Sequence, residues 1–178
     1  KEMEKLLDTD LKNNINGWSP QSQYNDWSSK GLQYRNTKLD NQKYYTYMYY
    51  GNQNYSKVTN NVITAGRDIT EDDCRRRARV CVIGETIRKY FFGAMSPIGQ
   101  KIKIGGKNFE IIGVYKGKYK GKLNTEDQML VMPYTLQSQM MTVDRYAHKQ
   151  YIVQAASRED IDIVVKKLKE FMEPRCTS

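Results

Sequence analysis

The stretch from Lys101 to Tyr115 constrains the fold more than any other part of the chain. Lys101-Ile102-Lys103-Ile104 alternates charged and apolar side chains, Gly105-Gly106 follows as a two-residue turn, and Lys107 to Tyr115 returns. Successive strand side chains point to opposite faces, so this pattern predicts an antiparallel hairpin with a buried face. In the returning strand the apolar phase slips at Ile111-Ile112, beside Gly113. A bulge, or a strand buried on both faces, is predicted there. The chain is therefore built around a sheet.

The segments on either side supply more strands and short helices. Met3, Leu6, Leu7, Leu11 and Ile15 form a helical stripe that stops before Gly17, and Trp18 to Ser29 reads as extended. Leu32–Asn36 and Tyr44–Tyr50 are predicted as two strands of a hairpin around a long polar connection, Thr37–Lys43. One short helical turn is expected at Tyr55–Val58. Thr70 followed by Glu71-Asp72-Asp73 fits an N-cap with acidic first-turn residues, and Arg75–Arg77 with Arg79 closes that element. Arg79–Ile83 predicts a strand. Gly84-Glu85 then leads into a helix with Ile87, Tyr90 and Phe91 on one face, ended by Gly93. Ser96-Pro97-Ile98-Gly99 is a turn, Met129–Met132 a short strand, and Tyr134–Met141 a helix.

Gln150–Ala155 and the following residues form the clearest strand–helix unit. Ser157-Arg158-Glu159-Asp160 resembles a capping box, and Ile161, Val164, Val165, Leu168, Phe171 and Met172 recur at helical spacing. Strand–helix elements thus sit at both ends of the chain, with strands concentrated between them. The reading is an α+β fold. A discontinuous strand–helix subdomain comprises residues 1–30 plus 145–178, and a mostly β subdomain, residues 31–144, is inserted into it.

Composition excludes several classes. A chain of 178 residues buries roughly 70% of its extended surface, enough for a core without staples. No apolar run reaches the roughly 20 residues of a membrane span, and the least charged stretch, Met129–Val143, is broken by Pro133, Gln137, Ser138 and Gln139. No signal peptide is visible, and a first residue of Lys1 rather than Met suggests a piece of something longer. Cys74, Cys81 and Cys176 lack C-x-x-C spacing. A Cys74–Cys81 bridge is conceivable in an oxidising medium, but unpaired thiols are the favoured reading. With His148 as the single histidine, no ordinary zinc site can be assembled. Nucleotide-binding and hydrolase motifs are absent, so neither catalytic nor cofactor residues are assigned. Asp72-Asp73 could be imagined as an acid–base pair, yet their place at a helix start already explains them.

The net charge of +9 raises one other reading. Arg75-Arg76-Arg77, the basic loop Lys116–Lys122 and eight tyrosines between Tyr24 and Tyr55 could track a phosphate backbone while bases stack. A basic nucleic-acid-binding domain with tyrosine-rich strands is therefore the alternative, although no recognised nucleic-acid motif accompanies these residues.

Residues Val62 to Tyr134 carry a family resemblance. The ordered pieces are Gly66-Arg67 before the acidic helix start, Val80-Cys81-Val82-Ile83-Gly84, and Tyr90-Phe91-Phe92-Gly93. Pro97-Ile98-Gly99 with Ile102 follows, then Phe109 through Ile111-Ile112-Gly113-Val114, and Pro133-Tyr134 closes a late strand. In order and spacing this resembles the extracytoplasmic core domain of ABC-transporter permeases of the macrolide-export (MacB) type. Trp18-Ser19-Pro20 and the last strand and helix extend the likeness over most of the chain. The resemblance implies a porter-like subdomain from both chain ends with a β-rich insertion, carried between the first two transmembrane helices of a permease. It also implies a second permease subunit, a cytoplasmic ATP-binding domain or subunit, and transmission of ATP-driven motion. It leaves the substrate, and the use of an adaptor protein, open. Against the family pattern no strand precedes the first helix and none follows the last, so one sheet edge is expected to lack its neighbour.

Overall fold

The computed structural model describes residues 1–24, 33–34, 46–118, 125–140 and 150–176. The elements in chain order are α1 (Glu2–Asp8), β1 (Ile15–Tyr24), β2 (Gln33–Tyr34), β3 (Tyr47–Gly51), α2 (Tyr55–Val58), β4 (Ile63–Gly66) and α3 (Glu71–Arg75). They continue with β5 (Val80–Ile83), α4 (Glu85–Phe92), β6 (Lys101–Ile104), β7 (Lys107–Tyr115), β8 (Met129–Pro133), α5 (Gln137–Met140), β9 (Gln150–Ala155) and α6 (Arg158–Cys176). The strands form one mixed, nine-stranded sheet in the order β2-β6-β7-β5-β8-β3-β1-β9, with β4 also on β7. The fold class is α+β.

The hairpin forms as its pattern requires. Ile102 pairs with Phe109 and Lys101 with Glu110, and Ile102, Ile104 and Phe109 are fully buried. Each such isoleucine stabilises the fold by about 1.5–3 kcal/mol relative to exposure. The phase slip is a bulge: Cys81 pairs with Ile111 and Val82 with Gly113, so Ile112 is skipped. Ile111 therefore joins the core that contains Ile83, Phe91 and Phe109, whereas Ile112 joins the one containing Ile69, Val82 and Val131. Strands β5, β7 and β8 are apolar on both sides because each face carries its own core. Helix α4 covers the first face through Ile87, Phe91 and Phe92, while α2 and α3 cover the second through Tyr55 and Cys74.

Two glycines allow the backbone of β4 to lie against β7. A Cβ at Gly66, where φ is +71°, would stand 2.1 Å from the Ile112 carbonyl oxygen, and one at Gly113 would stand 2.2 Å from that of Arg67. The gap they leave is bridged by the Arg67 N–H, which donates to the Ile112 carbonyl at 2.8 Å. Only a residue without a side chain tolerates both the approach and the left-handed conformation at position 66.

The two chain ends meet. Strand β1 pairs with β9 from Ile15–Ala155 to Gln21–Gln150, and Leu7, Leu11 and Val164 form a third core bordered by Trp18, Tyr151 and Val153. The same β1 also pairs with β3 at Ser22–Tyr50, so the sheet runs without a break into the middle of the chain.

Several expectations need correction. The N-terminal stripe is not one helix to Gly17: α1 ends at Asp8, Leu11 is buried from a turn, and Ile15 opens β1. The Thr9 hydroxyl donates to the Lys5 carbonyl at 2.7 Å at the helix end. Asn14 then ties the chain to the other terminus, its amide donating to Asp160 at 2.9 Å and its carbonyl accepting from the Ala156 N–H at 2.9 Å. The predicted hairpin of residues 32–36 and 44–50 does not form. Instead β2 pairs with β6, while β3 lies between β1 and β8, parallel to the latter. Tyr90 does not share the buried face of α4: Ile87 and Phe91 are buried, as i and i+4 require, and Tyr90 packs edge-on against Phe91 from the rim. Helix α6 carries the predicted apolar stripe and continues past it to Cys176, but only Val164 of that stripe is buried. Met141 and residues 25–29, also assigned on sequence, lie outside the described residues.

Candidate functional site

The acidic pair is structural. Thr70 accepts from the Asp73 N–H at 3.1 Å, and the Asp73 carboxylate accepts from the Thr70 N–H at 3.0 Å, completing a capping box. Arg67 closes over it with nitrogens 2.7 and 3.3 Å from the same carboxylate. Burial opposes ionisation of Asp73, but the hydrogen bonds from Arg67 and Thr70 outweigh it and hold the carboxyl below its usual range. Asp72, exposed on the adjacent face, pairs with Arg75 and with Arg76. Arg76 also reaches Asp73 at 3.9 Å, so both carboxylates are engaged by arginines at the start of α3.

Two of the three cysteines are sequestered. Cys74 and Cys81 are free and buried, in cores on opposite faces of the sheet. Burial, with the Asp73 charge nearby, pushes the Cys74 thiol up to about 11, and burial raises Cys81 further. Burial thus disfavours the thiolate at both positions. No group of three or more His, Cys, Asp or Glu side chains converges among the described residues. His148 and positions 119–122 of the basic loop lie outside them.

The tyrosine-rich region divides by face. Tyr50 points into the core beneath α4, whereas Tyr47 and Tyr49 lie on the other face of β3, beside Tyr55 of α2. The Tyr49 and Tyr55 rings stack with centroids 6.3 Å apart at 27°. Lys118, from the basic loop, reaches the same place, and an open cleft lies between them. Sequence alternation picked out Tyr47 and Tyr49, but the partnership with Gln21, Thr59 and Asn61 needed the pairing of β1 with β3 and was not visible beforehand.

A second feature is the outer rim of the sheet. Strand β9 is terminal in the strand order, and α6, packed against β1 and β9 through Val164, exposes Ile161, Ile163, Val165 and Met172. The apolar periodicity of this helix signals a face that the described residues leave mostly uncovered.

A mixed sheet with helices on both faces, its two chain ends paired at β1 and β9, defines an α+β domain. A sequence profile of the MacB-like periplasmic core domain matches residues 3–171, and the chain belongs to that family. The macrolide export ATP-binding/permease protein MacB of Chlorobium luteolum is 31% identical over 124 residues, covering 64% of this chain and 18% of the relative. The chain therefore spans under a fifth of that relative's length. Among solved structures, the periplasmic region of MacB from Actinobacillus actinomycetemcomitans superposes with a TM-score of 0.72 at 20% identity, over 96% of this chain and 72% of that one. The extracellular domain of the noncanonic ABC-type transporter YknZ from Gram-positive bacteria gives 0.66 at 18% identity, over 97% and 82%. At these identities the structural likeness is one of fold. Nothing in these relationships supports the nucleic-acid alternative.

Proposed function

We propose that this chain is a non-catalytic extracytoplasmic domain of an ABC-transporter permease, coupling ATP-driven membrane motions to export or release of a substrate. The family match over residues 3–171 carries this reading. The relative from Chlorobium luteolum, named for macrolide export and as an ATP-binding/permease protein, supports the permease context. The substrate class on this reading is a peptide, antibiotic or lipoprotein. Partners are the transmembrane helices of the same polypeptide, a second permease subunit, a cytoplasmic ATP-binding domain or subunit, and an adaptor protein where one is used. No described helix is long and apolar enough to cross a membrane, so the anchoring helices belong to the proposal.

Residues 1–30 with 145–178 form, on this reading, the subdomain that receives motion from the membrane, and residues 31–144 the inserted one. The β1–β9 pairing and the separate core of Leu7, Leu11 and Val164 support the division. Spin labels at Lys169 on the exposed side of α6, in the full-length protein reconstituted in lipid, test the coupling. Inter-subunit distances should differ between nucleotide-free and ATP-trapped states. A distance distribution indifferent to nucleotide would sink the proposal.

A further inference from the structure

We infer that α6 is the contact helix for a second copy of this chain, paired antiparallel with its counterpart across a two-fold axis. The inference gives the second-subunit partnership proposed above a surface and a register, and rests on that reading only for the presence of two copies. The apolar face of α6 is wider than the sheet beneath it covers. Val164 is buried with Leu7 and Leu11, and Leu168 packs against the same core. Ile161, Val165 and Met172 lie beside them on the helix and are 47, 43 and 44% exposed.

The spacing within this stripe is that of a helix–helix seam. Ile161, Val165, Leu168 and Met172 follow one another at intervals of four, three and four, the repeat by which two helices interlock their apolar side chains. An open groove of about 620 Å³ lies along it, between Ile161, Val165 and Leu168 on α6 and Val153 and Ala155 on β9. The side-chain ridge of a second helix fits against such a stripe.

Charge complementarity selects that helix and its direction. Arg158, Asp162, Lys169 and Glu173 are exposed and flank the stripe on the side turned away from Val164. Let two copies of α6 run antiparallel with Ile161 opposite Met172 and Val165 opposite Leu168. The same register sets Arg158 beside Glu173, and Asp162 beside Lys169, of the other copy. Two-fold symmetry repeats each match. Lys166 and Lys167, near the axis, turn away from the seam. A parallel pair brings neither set of opposite charges together. The ion pairs described within the chain all lie between residues 1 and 88. Exposed pairs add little affinity individually and chiefly fix partner and orientation. Position 169 lies at the rim of the contact, where a thiol or a label stays open to water.

Disulfide trapping in the 178-residue chain tests both contact and direction, with Cys176→Ser so that the remaining native thiols are buried. Ile161 and Met172 are eleven residues apart, about 16 Å along the helix and too far for a bridge within one chain. The variant carrying both Ile161→Cys and Met172→Cys should oxidise to a covalent dimer, while each single variant stays monomeric. Without the added cysteines, sedimentation equilibrium should show reversible dimers at concentrations up to about 1 mM. Val165→Lys should weaken them at least about tenfold, whereas Ile163→Lys, similarly exposed on the opposite side of the helix, should leave them unchanged. Asp162→Lys should also weaken them, and adding Lys169→Asp should restore them. These side chains are exposed, so the thermal transition should stay in place. The inference is overturned by a chain that remains monomeric, by bridging of the single variants in place of the pair, by dimers indifferent to Val165→Lys, or by a charge swap that restores nothing. Such a failure leaves the permease reading standing, and spin-label distances indifferent to nucleotide would sink that reading without touching this contact.

Discussion

An alanine at position 113 would set its Cβ 2.2 Å from the Arg67 carbonyl oxygen, a backbone atom that can retreat only by opening the β4–β7 pair. Gly113→Ala should therefore cost about 3 kcal/mol or more in urea unfolding. Gly106, at φ +79°, faces open space, and Gly106→Ala should cost only the left-handed conformation, about 1–2 kcal/mol. Equal losses at the two positions would refute the close-approach argument. Asp73 adds a pH dependence of known sign. Its carboxyl lies below the usual range when folded, so its contribution is present above the unfolded value of about 3.9 and is lost as pH falls through the lower native value. Asp68 acts in the opposite sense, because burial raises its carboxyl. Asp73→Asn should flatten the fall in unfolding free energy on acidification below about pH 4, as measured by urea titrations across that interval. An unchanged slope would remove Asp73 from the account. The thiols give a simpler readout. Cys74 and Cys81 are buried with raised thiols, so at most one of the three cysteines should react with an aromatic disulfide at pH near 8 until denaturant is added.

At the scale of elements, the capping box of α3 decides whether a five-residue helix survives between two strands. Thr70→Ala removes the hydroxyl that accepts the Asp73 N–H and should cost about 1 kcal/mol, seen as a lower urea midpoint with an unchanged slope. A change in slope would mean that α3 detaches separately. The Thr70 N-cap of this box, the Gly105-Gly106 hairpin, the bulge at Ile112 and the turn at Tyr55–Val58 were all readable in the sequence, because each is set by residues close in the chain. What could not be read is pairing at a distance. Tyr47–Gly51 has the alternation of a strand whichever neighbour it takes, and nothing local states that it joins Met129–Pro133 in parallel rather than Gln33–Tyr34. The N-terminal stripe misled for a related reason: Leu11 keeps helical spacing, but it is buried from a turn held by contacts to residues 156 and 160. The cleft inherits that difficulty, since its walls come from β1, β3, α2 and the chain after β7.

At the scale of the whole molecule, the positive charge is partly committed to ion pairs, with Arg67, Arg75, Arg76 and Arg88 bound to Asp73, Asp72 and Glu85. The sheet instead expresses the fold of the MacB-like core domain family, and its organising feature is the meeting of both chain ends at β1 and β9. On the proposed function, that junction is where movement of anchoring helices would enter, with α6 lying against it. Its place outside the cytoplasm can be measured in the full-length protein, with Cys176→Ser to remove a native thiol and Lys169→Cys to introduce one on α6. Intact cells treated with a membrane-impermeant maleimide should label position 169 fully, with no gain on lysis. Labelling that appears only after the cells are broken would place the domain in the cytoplasm and contradict the proposed function.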